Sequence, residues 1–246
     1  FFEWDATEIA RQCTLLDFEL FKPLQFTELF VDNKRKDHAK LAPHVHAMTE
    51  RFNKMSAWVI TTILSQPDEP KRQAAIRKFV ELCDRFFEYR NYNSLYAIVG
   101  GAFGNNAIFR LKTWDAIPDA KGRRDHYNDL MNHPYNKIRK ELEQAPPPSI
   151  PFLGMILTEI EFNDQNAKFR ETKKGKKRLR LINFKRCLLN VKSIQRMREK
   201  QQKFYEFDQV KFLLAAFQTD VFDNLMNMEQ AWARSIELFP STRGAG

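Results

Sequence analysis

The amino-acid sequence predicts an all-α fold, a single multi-helix domain over residues 1–246 with roughly ten or more helices. Apolar side chains recur at three- and four-residue steps along most of the chain, which is the spacing of one helix face. The composition agrees, because 22 Phe and only 8 Gly favour helices packed through aromatic rings over a turn-rich β design. No segment of useful length alternates polar and apolar residues, so we expect no strands. The sequence also shows no internal repeat.

Amphipathic helices are predicted wherever the apolar spacing is regular. The clearest lie at 15–21, 44–64, 72–88 and 213–225. Asp68 and Glu69 follow a proline and are expected to cap the third of these helices. Breaks that contain proline separate the elements, at 22–23, 42–43, 67–70, 117–118, 133–134 and 146–148.

Residues 147–162 begin with a proline run that ends one element and starts another. Ser149 is placed to cap a new helix, and Pro151 falls in its first turn. An apolar stretch with few polar interruptions follows, which predicts a helix. The next tract, 166–180, is so rich in Lys and Arg that we expect a solvated connection, leading to a second helix after LRLINFKR at 179–186.

The net charge of +9 is concentrated in one segment. Residues 168–203 contain 15 Lys and Arg against 2 Asp and Glu, and the rest of the chain is acidic overall. One basic patch of this kind suits an acidic protein or an anionic lipid surface. Phe169 and Phe184 are the only aromatic residues of the segment, which argues against recognition of single-stranded nucleic acid.

The sequence favours a cytoplasmic location. No apolar run reaches the roughly 20 residues that a bilayer span requires. The N-terminal segment lacks the basic and apolar blocks of a signal peptide, and we expect a domain cut from a larger protein. Cys13, Cys83 and Cys187 are too far apart to form a metal set or a disulfide framework. Reduced cysteines, with Cys83 buried among apolar residues, fit the cytosol.

The usual signatures of a self-contained enzyme are missing from the sequence. The glycines within 100–104 follow no strand, so we expect them to let segments approach closely rather than to hold a nucleotide. His44 and His46 stand two apart, as do Glu159 and Glu161, and each pair therefore lies on different faces of a helix. This spacing argues against metal binding and against paired-carboxylate catalysis. We predict a protein that acts by binding, without a metal or cofactor.

Six stretches carry motifs whose order is more informative than any single one. They are IARQCTLLDFELFKPLQFTEL at 9–29, HVHAMTERFNKMSAWVITTIL at 44–64, KRQAAIRKFVELCDRFFEYRNYNSLYAIVGGAFGNNAIFRLKTW at 71–114, IPFLG at 150–154, INFKR at 182–186 and SIELFP at 235–240. Together they resemble the catalytic domain of the Ras-family guanine-nucleotide exchange factors, the RasGEF domain. The resemblance spans nearly the whole chain.

This resemblance implies an all-helical domain with a protruding helical hairpin at about 151–200. Such domains release GDP from a Ras-like small GTPase, of the Ras, Rap or Ral type. They do so by binding one conformation of the partner better than another, not by breaking a bond. One arm of the hairpin is expected to enter beside the nucleotide while other helices grip the GTPase. The mechanism implies no cofactor and no covalent chemistry of the chain's own.

Four residues of the first hairpin helix fall at positions that act in exchange in the family. Phe152 anchors the base of the hairpin, with plain core packing as the alternative, and Thr158 matches a polar contact with the GTPase. Glu161 stands where the family has a leucine that blocks the metal site. Gln165 stands where the family has an acidic residue near the phosphate. These departures motivate a second hypothesis, a RasGEF-like domain that binds a GTPase or scaffold without catalysing exchange.

Four further residues are assigned to partner binding by the same resemblance: Arg72, Asn91, Asn93 and Asn183. The matching positions contact the GTPase or brace the hairpin. The residues themselves also predict another role for Asn91 or Asn93, because either can cap a helix that starts near Ser94.

The basic tract suggests contact with an anionic membrane, since Ras-like partners sit on membranes. The residues expected to make this contact are Lys173, Lys174, Lys176 and Lys177. A solvated, non-contacting run of charge is the alternative interpretation.

Overall fold

The computed structural model describes residues 2–174 and 177–240. These residues form twelve α-helices and one two-stranded sheet, and the predicted all-α class is confirmed. The helices are α1 (Ala6–Phe21), α2 (His38–Leu41), α3 (Pro43–Leu64), α4 (Glu69–Glu88), α5 (Tyr92–Tyr96), α6 (Asn106–Phe109), α7 (Pro118–Leu130), α8 (Asn136–Gln144), α9 (Leu153–Asp164), α10 (Phe184–Lys200), α11 (Lys211–Gln218) and α12 (Met228–Leu238). Turns of 3-10 helix lie at Phe26–Phe30, Lys112–Ala116 and Asp220–Phe222, and a π-helical segment, Ala97–Phe103, continues α5.

The helices predicted from apolar spacing are present, although the last is shorter than expected. Helix α4 starts after Asp68, whose carboxylate accepts the Lys71 amide at 2.9 Å, so the predicted cap is confirmed. Helix α11 ends at Gln218 rather than continuing to residue 225. The hydroxyl of Thr219 bonds to Asp220 Oδ1 at 2.7 Å. Such local side-chain bonds compete with helical geometry, and the chain turns there.

The interior consists of two apolar clusters. The larger lies among α1, α3, α4 and the π-helical segment, with Phe79 and Phe103 fully enclosed. The smaller lies beneath α9 and α10 and joins Phe21 of α1 to Ile156 of α9 and Met197 of α10. The two helices that follow the proline run therefore rest on a core of their own.

The predicted role of the glycines is confirmed where the π-helical segment passes α3. A Cβ atom added to Gly101 would lie 2.7 Å from the hydroxyl oxygen of Ser56. Only glycine allows the two backbones to come this close without displacing a side chain.

The basic tract contains a β-hairpin, so the prediction of no strands is wrong. Strands β1 (Phe169–Lys174) and β2 (Lys177–Ile182) pair antiparallel, with Phe169 opposite Ile182 and Glu171 opposite Arg180. Strand pairing rests on backbone hydrogen bonds and on cross-strand pairs such as Glu171 with Arg180. These interactions do not require the alternating apolar pattern on which the prediction depended.

The start of α9 also differs from the prediction. The helix begins at Leu153 with Phe152 at the capping position, and Ser149 is buried with no hydrogen bond to its hydroxyl within the described residues. The helix starts later than predicted because of Ile150. The amide of Ile150 donates to Arg90 O and its carbonyl accepts from the Tyr92 amide, both at 2.9 Å. The chain is held extended there, and Pro151 lies outside the helix.

The prediction that Cys83 is buried is confirmed, and Cys13 is buried as well. Burial raises the pKa of the Cys13 thiol to about 12 and raises the pKa of Cys83 well above its ordinary value. Cys187, on α10, is exposed. Over the part of the chain that the structure describes, no helix has both the length and the apolar character needed to cross a membrane.

Candidate functional site

Helices α9 and α10 pack side by side, and β1 and β2 join their far ends. We refer to α9, β1, β2 and α10 together as the hairpin. Arg196 of α10 pairs with Glu159 of α9 at 2.6 Å, and Arg186 pairs with Asp164 at 2.5 Å. Arg196 also reaches Glu143 of α8 at 3.5 Å. These ion pairs bind the two arms to each other and, near the base, to the body of the domain.

An aromatic cluster holds the base of α9. The ring of Phe152, which is only 8% exposed, lies 4.0 Å from the ring of Tyr96 and 5.7 Å from those of Phe52 and Tyr135, measured between centroids. Tyr135 adopts a left-handed backbone conformation with φ of 66°, which is uncommon for a bulky residue. Burial and a hydrogen bond with Tyr135 raise the pKa of Tyr96 to about 12. Four rings from four segments thus fix the point where α9 leaves the body.

The ring of Phe152 folds back over the first turn of its own helix. A Cβ atom added to Gly154 would lie 2.4 Å from that ring. Glycine is therefore required at this position for the ring to reach the aromatic cluster.

A buried polar network braces the same base from the other side. Asn91 caps α5 by accepting the Ser94 amide at 3.0 Å, and it donates to Asp17 Oδ2 at 2.7 Å. Asp17 also accepts from Arg51 and from the Ser94 hydroxyl. Asn93 accepts the amide of Leu153, the first residue of α9, at 3.4 Å. The capping role predicted for one of the two asparagines is confirmed for Asn91, while Asn93 contacts the hairpin directly.

The end of α10 is anchored as firmly as the start of α9. The ammonium group of Lys200 is buried and donates to Ala145 O at 2.5 Å, and burial lowers the pKa of this lysine. The Gln201 side chain donates to Phe21 O at 2.8 Å and to Leu24 O at 3.1 Å. Tyr205 then donates from its hydroxyl to Tyr89 O at 2.7 Å.

Three of the predicted site residues share one exposed face of α9. Thr158, Glu161 and Gln165 follow helical spacing, and all three are exposed. The Thr158 hydroxyl donates to Gly154 O at 2.8 Å, and neither Glu161 nor Gln165 has a side-chain partner among the described residues. Phe162 lies on the same face with 67% of its side chain exposed. The sequence gives no signal that singles out Phe162, because its spacing from buried neighbours is that of a core residue.

A groove of about 740 Å³ opens beside this face. One wall belongs to α9 and α10, and the other to the segment that links α7 to α8 and to α8 itself. Its lining includes Thr158, Phe162, Leu189, Lys192, His133, Tyr135 and Arg139. The lining also contains Glu143, Glu159 and Glu199, so the exposed α9 face borders a concave surface of mixed apolar and charged character.

The four residues assigned to partner binding are all buried in this structure. Arg72 donates to Glu69 Oε2 at 3.1 Å and to Gln66 O at 3.0 Å, so its guanidinium group stabilises the start of α4. Asn183 precedes α10 and donates to Ala167 O at 2.8 Å, which closes the β-hairpin. Contact of these residues with a partner stays a prediction, because all their described hydrogen bonds support the framework.

The fold and this surface define a class: an all-α domain that presents a braced helical hairpin beside a groove. Comparison with protein families matches residues 8–188 to the RasGEF domain. The chain belongs to the RasGEF domain family.

Curated relatives agree with this assignment. The chain is 34% identical over 215 residues to Ras guanine nucleotide exchange factor A of Dictyostelium discoideum, covering 85% of this chain and 35% of that protein. It is 32% identical over 247 residues to Ras guanine nucleotide exchange factor J of the same organism, covering 93% and 29%. It is 31% identical over 208 residues to Ras-specific guanine nucleotide-releasing factor 1 of Mus musculus, covering 82% and 16%. The chain therefore spans about a third or less of the length of these relatives.

Proposed function

We propose that residues 1–246 form a RasGEF catalytic domain that stimulates GDP release from a Ras-like small GTPase of the Ras, Rap or Ral type. The hairpin, at about 151–200, enters beside the nucleotide site. The observation that carries this proposal is the exposed α9 face of Thr158, Glu161 and Gln165. That face projects from a base that is anchored on both arms.

The chemistry of exchange explains why such a surface is sufficient. A GTPase holds its nucleotide through a phosphate loop, a lysine and Mg²⁺. An exchange factor stabilises the nucleotide-free conformation, so its contribution is differential binding of two states of the partner. Phe152 fixes the angle of α9, and Thr158 offers its hydroxyl oxygen to the partner as an acceptor. Glu161 introduces a carboxylate near the metal site, and Gln165 supplies hydrogen bonds without charge.

The buried polar residues act in this scheme by holding the hairpin. Asn93 bonds to the amide of Leu153, and Asn183 orients the first turn of α10. Asn91 caps α5 next to the backbone bonds that Ile150 makes with Arg90 and Tyr92. Arg72 stabilises α4, against which α1 and α5 pack. Each therefore affects the partner through the position of a helix.

A second candidate function is binding without exchange. It is favoured by Glu161 and Gln165, which replace an apolar plug and an acid on the inserted face. Release of a fluorescent GDP analogue from a panel of Ras, Rap and Ral proteins separates the two. Acceleration on at least one member supports exchange. Binding to a nucleotide-free GTPase without acceleration on any member supports the second function and contradicts the first.

We further propose that the domain works in the cytoplasm and is recruited to anionic membranes. The supporting feature is the basic tract with Lys173, Lys174, Lys176 and Lys177, although Lys176 and the side chains of the other three lie outside the described residues. Replacing the four lysines by glutamine should weaken sedimentation with phosphatidylserine vesicles at low salt. Unchanged sedimentation would contradict this role for the tract.

A further inference from the structure

Thr172 of β1 has a hydroxyl group that the proposed exchange mechanism does not use. Its side chain is exposed, and the hydroxyl has no hydrogen-bond partner among the described residues. The sheet register pairs Thr172 with Leu179 of β2. Because side chains alternate between the two faces of a strand, Arg170 and Thr172 share one face, and Phe169 and Glu171 share the other. The Thr172 oxygen is thus accessible to a reagent in solvent.

The extended backbone of β1 distinguishes Thr172 from two other exposed threonines. Thr158 lies within α9, and its hydroxyl donates to Gly154 O at 2.8 Å. Thr219 follows α11, and its hydroxyl donates to Ala215 O at 3.2 Å. An enzyme that transfers a phosphoryl group must align the attacking hydroxyl with the bond that breaks. A free hydroxyl on an extended segment can meet this requirement, whereas a hydroxyl bonded to its own helix cannot without local unfolding.

Strand β1 can leave the sheet without disturbing the two helices of the hairpin. A sheet of only two strands is marginally stable by itself. The base of the sheet is closed separately, because the Asn183 amide donates to Lys168 O at 3.0 Å and the Asn183 side chain donates to Ala167 O at 2.8 Å. Thr172 stands beyond these bonds. The segment around it can therefore enter the cleft of an enzyme while the base stays closed.

The charges around Thr172 are almost all positive. Residues 168–182 contain eight Lys and Arg and one acidic residue, Glu171, which lies opposite Arg180 in the sheet register. Arg170 precedes Thr172 by two positions, is exposed, and forms no ion pair within residues 2–174 and 177–240. This pattern suits an enzyme whose substrate groove is acidic.

The other carboxylates of the hairpin lie on its helices. Asp164 and Glu159 are paired with arginines of α10. Glu161 and Glu199 have no ion pair among the described residues, but Glu161 belongs to α9, and Glu199 belongs to the last turn of α10, at the base. None of these four lies on the strand that would enter the groove of an enzyme, so they leave its positive charge in place.

We propose that Thr172 is a phosphorylation site for a protein kinase that recognises basic residues around its target. The co-reactant is ATP with Mg²⁺. The Thr172 Oγ1 atom forms a bond to the γ-phosphorus, the bond from that phosphorus to the oxygen bridging to the β-phosphate breaks, and ADP leaves. The hydroxyl proton passes to the catalytic aspartate of the kinase. Arg170 binds carboxylates of the kinase and fixes the position of Thr172 in the cleft.

Phosphorylation at this position has a consequence that rests on the proposed recruitment to membranes. A phosphothreonine carries a charge of about −1.5 to −2 at pH 7. It would stand within a tract of eight basic residues and one acidic residue, and phosphorylation releases such tracts from anionic lipids. We expect phosphorylated protein to bind phosphatidylserine vesicles on the order of tenfold more weakly than unmodified protein at low salt.

The site is tested without lipid and without a GTPase. The whole chain is incubated with ATP, Mg²⁺ and the lipid-independent catalytic fragment of protein kinase C, and phosphate is located by mass spectrometry of peptides. Phosphate should be found on Thr172 and on neither Thr158 nor Thr219. Thr172→Ser should retain the modification and Thr172→Ala should lose it. Circular dichroism should show the same melting temperature for both variants, because the side chain is exposed.

Charge recognition is tested by Arg170→Glu, which should slow phosphorylation by more than about tenfold. Its matched control is Lys211→Glu, a charge reversal at an exposed position of α11 that should leave the rate unchanged. No phosphate on Thr172, or equal rates for Arg170→Glu and the unaltered chain, would overturn the assignment of the site.

Sedimentation with phosphatidylserine vesicles then compares phosphorylated and unmodified protein. Thr172→Ala treated with the same kinase is the control and should bind as the unmodified chain does. Equal binding of the phosphorylated and unmodified forms would overturn the effect on membranes. Failure of the unmodified chain to bind contradicts the proposed recruitment and this effect with it, while phosphate on Thr172 would still confirm the site.

Discussion

The base of the hairpin and its outer half differ in the burial of their side chains. At the base, Phe152, Asn91 and Lys200 are buried, and each contacts groups of the body. Along the outer half, Phe162 and Phe184 leave most of their rings in solvent. We infer that the base sets the direction of the hairpin, and under the proposed function the outer half supplies the contacts with the GTPase. Substitutions at the base should therefore lower both stability and exchange, whereas those in the outer half should leave stability unchanged.

The largest expected effect is that of Phe152→Ala. Removing a buried phenylalanine typically costs about 3–5 kcal/mol of stability, and here the loss also frees the start of α9. We expect exchange to fall by more than about tenfold as the hairpin loses its direction, measured by release of fluorescent GDP. Phe184→Ala is the matched control and should leave the free energy of unfolding unchanged. Equal loss of stability at both positions would remove the distinction between base and outer half.

Arg72→Glu tests whether a buried framework residue acts on the partner or on the fold. The new carboxylate would lie beside Glu69, and removing one member of a buried ion pair costs about 3–5 kcal/mol, an upper limit here because Glu69 is partly exposed. We expect urea denaturation to show a clear loss of stability. Arg72→Met, which keeps the packing of the stem, should lose less. Normal stability with lost exchange would instead show direct contact with the GTPase.

Asn91→Ala should have a smaller effect that is confined to the base. It removes the cap of α5 and one donor to Asp17, which we expect to cost about 1–3 kcal/mol. Amide hydrogen exchange should accelerate at Tyr92 and Ile150, whose backbone groups pair across the base. Asn166→Ala, in an exposed position after α9, is the control. Unchanged protection at Ile150 would show that the network does not brace the hairpin.

Glu161→Leu should leave stability nearly unchanged and act only on exchange. The side chain is exposed and unpartnered among the described residues, so its effect must arise in contact with the GTPase. If Glu161 enters the metal site, leucine should raise the rate of GDP release severalfold. Glu161→Gln separates the removal of charge from the gain of an apolar plug. Identical rates for all three forms would show that this position does not enter the site.

Apolar periodicity predicted the helices because burial of one face is a local property of the sequence. The ordered motifs predicted the hairpin, in which Thr158 and Glu161 lie within α9 and Gln165 directly follows it. Periodicity could not show that Phe162 is exposed, because a core residue and a contact residue have the same spacing. The cluster of Phe152 with Tyr96 and Tyr135 was also missed, since it joins segments that only tertiary packing brings together.

Two of the differences between prediction and structure have a related cause. Ser149 has the chemistry of a helix cap, but the hydrogen bonds of Ile150 to Arg90 and Tyr92 keep the chain extended past it. The β-hairpin at 169–182 forms through backbone pairing, which composition alone does not show. In both cases, backbone hydrogen bonds between two segments decide a structure that side-chain preference predicts differently.

The ring of Phe152 has a mechanical consequence for the hairpin. Because it fills the gap between α9 and Tyr96, its thickness sets the separation of the two helices there. Gly154 makes room for it, and a side chain at 154 would press the ring towards Tyr96. The addition of one methyl group at residue 154 would thus change the angle of α9 and displace β1 and β2 at the far end of the hairpin. The tolerance of residue 154 to substitution is, in this sense, a measure of how finely the angle of the hairpin must be held.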